Sequence, residues 1–345
     1  MIDAATVVAG AMLVALILYA LTGGADYGAG TWDLLASGPS RRKQRAIIEA
    51  AIAPIWEANH VWLIVVVTVL FTGFPRAFAV VTTALHVPVL LLLLGVVLRG
   101  TAFTFRAHDP RGGGARKRWS LIFSVSSLFA PILLGAIVGA LSSGKVRMDG
   151  WEVVGGYYAP WIAVWPLMVG LFTLALFSYL AATYLCVEAE SRERGAPAVR
   201  AFRSRALVSW CAVTLLAWFL LFLSRSEAPV VFADLVARRA AWPLHLATGL
   251  ASLGALAALL ADRFRWARLC AAAQVALIVA GWGIAQYPCL VAPDVTIANA
   301  AAPLRTLHLL EGALIAGSIL LFPSLLFLYR AFKGEFPLSP FEPKR

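Results

Sequence analysis

Charge is what this sequence has least of. Asp, Glu, Lys and Arg make up 14% of its 345 residues, and 61% are hydrophobic, whereas soluble globular chains carry about one quarter charged residues. A soluble enzyme and a disordered chain are both excluded. Cysteine is equally sparse. Cys186, Cys211, Cys270 and Cys289 share no CxxC spacing, so neither a disulfide framework nor a zinc or iron–sulfur ligand set is indicated. Acidic residues number 18 against 29 Lys and Arg. The basic residues fall in short clusters between apolar runs rather than along a stripe, so they do not indicate a nucleic acid partner. What the chain has in abundance is apolar length, with a mean hydropathy of +0.82.

Nine apolar runs, each at least 18 residues long, cover 7–30, 46–71, 77–105, 119–141, 159–187, 206–223, 243–260, 269–287 and 306–329. About 20 such residues cross the ~30 Å hydrocarbon core as a helix. The expected fold is therefore an all-α integral membrane protein, one transmembrane domain over 1–345. Nine helices suit two four-helix bundles with a peripheral ninth. The first run lacks the charged flank and cleavage site of a signal peptide and is expected to remain as a helix. Of the 29 basic residues, 21 lie in the loops after the first, third, fifth and seventh runs and after the last. By the positive-inside rule these face the cytoplasm, with the N-terminus outside and the C-terminus inside.

Ionisable residues inside such runs are costly and usually face a cavity, a partner or a pathway. The first run ends in Gly23-Gly24-Ala25-Asp26-Tyr27-Gly28. Gly24 and Gly28 form a GxxxG step that lets another helix approach, and packing alone has no need of Asp26. The second run holds Glu49, Pro54, Trp56, Glu57, Asn59, His60 and Trp62. Glu57 and His60, three residues apart, adjoin on one helix face. Pro54 frees the carbonyl four residues earlier and can admit water beside Glu57. A carboxylate there could exchange protons, or the Glu–His pair could only fix helix packing. Of the histidines, only His60 and His86 could face each other as haem ligands, a weak pattern. Arg99 either snorkels to headgroups, pairs with Asp33 or Glu49, or meets a partner subunit. The tryptophans near run ends read as interfacial anchors.

The segments Gly24-Ala-Asp26-Tyr-Gly28-Ala-Gly30, Ala53-Pro54-Ile-Trp56-Glu57-Ala-Asn59-His60-Val-Trp62-Leu63, Leu70-Phe71-Thr-Gly-Phe74-Pro75 and Arg99-Gly100-x-x-Phe103-x-Phe105-Arg106 resemble subunit II of the cytochrome bd-type quinol oxidases. The resemblance is close over the first hundred residues and topological beyond. It implies a nine-helix, non-haem subunit of the bacterial inner membrane that forms a heterodimer with a haem-bearing subunit I, with or without small accessory subunits. The partner oxidises quinol and reduces dioxygen to water. This chain then binds no haem or metal and supplies packing surface, part of a proton path from the cytoplasm and, in some members, a structural quinone, all in contact with lipid. By motif position Asp26 matches the second acid of the family's first-helix motif and Glu57 the acid of its Trp-Asp-Gly-Asn. Gly23 replaces the first acid, and Ala58 and His60 also depart from the pattern. The expected proton path therefore comprises Glu57, Asp26, His60, Glu49 and Asn59. Trp56, Trp62, Arg99, Gly24 and Gly28 are expected to serve packing or partner contact. Two competing readings are a proton-coupled secondary transporter and a haem-binding cytochrome b acting alone.

Overall fold

The computed structural model describes residues 3–53, 56–108, 114–149, 152–154, 156–192, 197–237 and 241–333. Nine helices long and apolar enough to cross a membrane are present among them. They are α1 (Ala4–Leu34), α2 (Trp56–Gly73), α3 (His86–His108), α4 (Gly114–Ser142), α5 (Val164–Arg192), α6 (Pro197–Glu227), α7 (Trp242–Leu260), α8 (Phe264–Gln286) and α9 (Leu304–Lys333).

α1 starts where Asp3 caps it, its carboxylate accepting the Thr6 N–H at 2.8 Å. Such a cap satisfies one of the donors that a helix N-terminus leaves unpaired. Two predicted runs are each divided. The second becomes an amphipathic helix, Arg41–Ile52, which buries Gln44, Ile47, Ile48 and Ile52, followed by α2. Pro54 lies outside the described residues. The third becomes a helix Pro75–Ala84 and then α3, with Leu85 between them. Pro88 accounts for the second break, because its ring excludes a helical carbonyl at position 84.

α1 is central, touching α2, α4, α5, α8 and α9, and α5 in turn touches α4, α6 and α8. Close approach of these two helices depends on glycine. A Cβ on Gly24 would come within 2.6 Å of the Phe177 ring, and one on Gly28 would overlap the Phe177 carbonyl oxygen. The core has three levels along the helix axes. One holds Trp32, Ile48, Phe103, Phe123 and Phe202, beside the basic loops. The middle holds Tyr19, Tyr27, Trp62, Phe177 and Tyr179. The third holds Val8, Phe74, Leu85, Val291 and Leu307. Two short hairpins, Arg147–Asp149 with Glu152–Val154 and Cys289–Val291 with Val295–Thr296, connect helices outside the spans.

Candidate functional site

α1 carries two buried acids seven residues apart, so they lie on one face about 10 Å from each other along the axis. Asp33, at the basic-loop level, is fully buried. Its carboxylate accepts from Arg106 Nη1 at 3.2 Å and Ser124 Oγ at 3.1 Å, and Arg45 Nε lies 3.9 Å from its other oxygen. Arg45 also donates to the Asp33 backbone carbonyl at 3.1 Å. Arg106 reaches Glu49 at 3.7 Å and lies 4.8 Å over the Phe123 ring. This corrects the expected pairing of Arg99: Arg106, two turns further along α3, is the arginine that meets Asp33 and Glu49. Arg99 is itself almost fully buried, donating from Nε to Ser127 Oγ at 3.2 Å, with its guanidinium 4.8 Å over Tyr27.

Asp26 lies about 12 Å before the end of α1 and is 5% exposed. Asn59 Nδ2 donates to it at 2.6 Å, and Tyr329 of α9 donates to Asn59 Oδ1 at 2.9 Å. Three helices thus meet in one polar chain: α1, the first turn of α2, and α9. His60 follows at the turn where α2 resumes, with its ring 6.0 Å from both Tyr19 and Tyr27 and its Nδ1 buried with no hydrogen-bond partner among the described residues. The Tyr19 hydroxyl donates to that of Tyr27 at 3.2 Å. A buried polar atom without a partner costs free energy comparable to a lost hydrogen bond.

Glu57 does not join Asp26. Asn59 takes that place, and Glu57 is exposed on α2, on the same heptad-spaced face as Ile64 and Phe71. Trp56 packs on Gly100 and on Phe103 at 5.8 Å, and Trp62 on Phe322 of α9 at 5.7 Å. His86 opens α3 at the far end of the spans, with Nδ1 3.0 Å from the Thr83 carbonyl oxygen and its ring 4.9 Å from Tyr157. His60 lies near the opposite end of α2, so the two are not brought together. The sequence reading missed Ser124 and Tyr329, and named Asp33 and Arg106 without joining them. Ser120, Ser124 and Ser127, at helical spacing in an otherwise apolar run, and Arg99 with Arg106 seven apart, were the available signals.

A buried acid pair within a nine-helix bundle defines an integral membrane protein with polar groups at helix depth. The sequence model of "Cytochrome bd terminal oxidase subunit II" matches residues 4–332, and the chain belongs to that family. It is similar to a putative cytochrome bd menaquinol oxidase subunit II of Bacillus subtilis, with 24% identity over 93% of each chain. It is also similar to cytochrome bd-I ubiquinol oxidase subunit 2 of Escherichia coli, with 25% identity over 83% of this chain and 81% of the other. The solved bd oxidase of Geobacillus thermodenitrificans has the same fold, with a TM-score of 0.79 at 23% identity, over 95% of this chain and 98% of that one. The chain is accordingly a multi-pass protein of the bacterial inner membrane and a subunit of a quinol:oxygen oxidoreductase complex, with a subunit I as partner.

Proposed function

We propose that this chain, as one transmembrane domain, serves a haem-bearing subunit I as a non-haem subunit and carries part of its proton supply. The partner oxidises quinol and reduces dioxygen to water. This reading leaves to the present chain, besides packing, a structural quinone at most. The observation that carries it is the Asp26–Asn59–Tyr329 chain, a buried carboxylic acid hydrogen-bonded to an amide that a phenol holds in turn. A carboxyl at helix depth is costly unless it is used, and one linked by hydrogen bonds to two neighbouring helices is positioned to take part in proton transfer. Glu49 stands at the basic-loop level, about one third exposed. Glu57 stands on the outer face of α2 one helical turn before His60. A charged carboxylate facing lipid is costly, so the partner subunit covers Glu57 and receives protons there. The path runs from Glu49 through Asp26 to Glu57, with Asn59 holding Asp26 and His60 beside them.

The measurement is steady-state quinol oxidation by the purified complex across pH. Glu57→Gln and Asp26→Asn keep size and hydrogen bonding but remove the exchangeable acid. Both are expected to assemble, to lower turnover roughly tenfold or more and to shift its pH dependence. Normal rates with an unchanged profile in both would refute the path. Haem content per assembled complex is expected to survive His60→Ala and His86→Ala. The N-terminus is placed outside and the C-terminus in the cytoplasm. In a variant without native thiols, Ser37→Cys is expected to resist an impermeant reagent in intact cells, and Ala233→Cys to react.

A further inference from the structure

A cleft of about 550 Å³ lies at the basic-loop end, between the helix Arg41–Ile52 and the start of α4. Arg41, Arg42, Arg45 and Lys117 line it, with the hydroxyls of Ser120 and Ser124 at its floor. Arg41, Arg42 and Lys117 form no ion pair with any described residue, and Asp33 behind the floor is already matched by Arg106. The cleft is therefore strongly positive. Arg41 and Arg42 also occupy the first turn of their helix, which holds no acidic residue, and the Ser40 side chain makes no cap hydrogen bond. Basic side chains there oppose the helix dipole, an arrangement that a bound anion relieves. A second feature points to the source of that anion. From Lys117, the i+4 row on α4 continues through Leu121, Val125 and Phe129, exposed by 57%, 37% and 55%. That row runs from the charged cleft into the membrane-spanning part of the helix, and Leu34 completes the apolar mouth.

We propose that this cleft binds the phosphate headgroup of an anionic phospholipid, with one acyl chain lying along Leu121, Val125 and Phe129. The guanidinium groups and Lys117 meet the phosphate oxygens, while the serine hydroxyls keep their hydrogen bonds to Asp33 beneath the headgroup. The inference is independent of the proton path, since the neutralised residues are not on it.

The purified complex, stripped of lipid and titrated with phosphatidylglycerol, is read by native mass spectrometry. Arg41→Gln with Arg42→Gln and Lys117→Gln is expected to weaken retention on the order of a hundredfold, at about fivefold per neutralised charge. Phosphatidylcholine is expected not to be retained, and millimolar inorganic phosphate not to displace the lipid. If the triple variant does not assemble, Arg42→Gln and Lys117→Gln alone are each expected to weaken retention about fivefold. Unchanged retention in the assembled variants, or equal retention of phosphatidylcholine, overturns the proposal. Displacement of the lipid by inorganic phosphate also overturns it, in favour of a free-phosphate site.

Discussion

Asp26 and Asp33 sit on one helix, both buried, in regions that treat a carboxylate in opposite ways. Around Asp33 the protein supplies Arg106, Arg45 and two serine hydroxyls. Two guanidinium groups thus face one carboxylate, and removing that carboxylate would take from the buried Arg106 its nearest counter-charge. Around Asp26 it supplies the Asn59 amide and, through it, the Tyr329 hydroxyl. The comparison teaches that burial alone does not mark a proton-transfer residue. The hydrogen-bond donors differ: guanidinium groups fasten Asp33, whereas an amide links Asp26 to α2 and, through Tyr329, to α9.

The largest effect is expected where the fastening is cut. Asp33→Asn leaves Arg106 buried with half its charge unmatched, and loss of one member of a buried pair costs about 3–5 kcal/mol. The yield of intact complex is expected to fall severely, and what assembles is expected to turn over with an unaltered pH profile. A pH shift in that residual activity would erase the distinction between the two acids. Replacing both members, Asp33→Leu with Arg106→Met, is expected to recover much of the yield, because no fully buried lone charge then remains, Arg45 and Glu49 each being about one third exposed.

An intermediate effect is expected in the other region. Tyr329→Phe removes the hydroxyl that fixes Asn59 Oδ1, so Asn59 can rotate away from Asp26. Assembly is expected to hold, since one neutral hydrogen bond contributes only about 1 kcal/mol, while turnover drops severalfold and its pH dependence moves. Loss of assembly with normal turnover would make this chain a fastening too.

The smallest effect is expected outside the membrane, where Arg147 pairs with Asp294 at 2.8 Å and both are about half exposed. Water already solvates both partners, so breaking this pair contributes little, well under 1 kcal/mol after screening. Asp294→Asn is expected to leave assembly unchanged and to be felt by a neighbour instead. The Cys289 thiol is held above its usual range, chiefly by burial and then by the negative charges of Asp294 and Asp234. With one charge removed, its thiolate fraction at pH 8 rises, and alkylation of Cys289 is expected to speed up roughly twofold. Slower alkylation would mean that Asp294 acts by position rather than by charge.

Much of this protein was determined by the sequence alone, because the lipid phase is a severe solvent. A helix across ~30 Å of hydrocarbon needs a long apolar run, so the nine spans could be read directly, and Asp26 stood out as an acid where none is cheap. The GxxxG step was equally legible, since only glycine admits the Phe177 carbonyl so close to α1. Tertiary structure alone decided which polar groups meet. Arg106 rather than Arg99 reaches Asp33, Asn59 rather than Glu57 reaches Asp26, and Tyr329 joins them from 270 residues away. A helix fixes the angle of each side chain about its own axis, but the rotation and depth of one helix against another come from packing across the whole bundle. The two breaks, at Ala53 and Leu85, turned those faces by amounts that apolar length could not reveal.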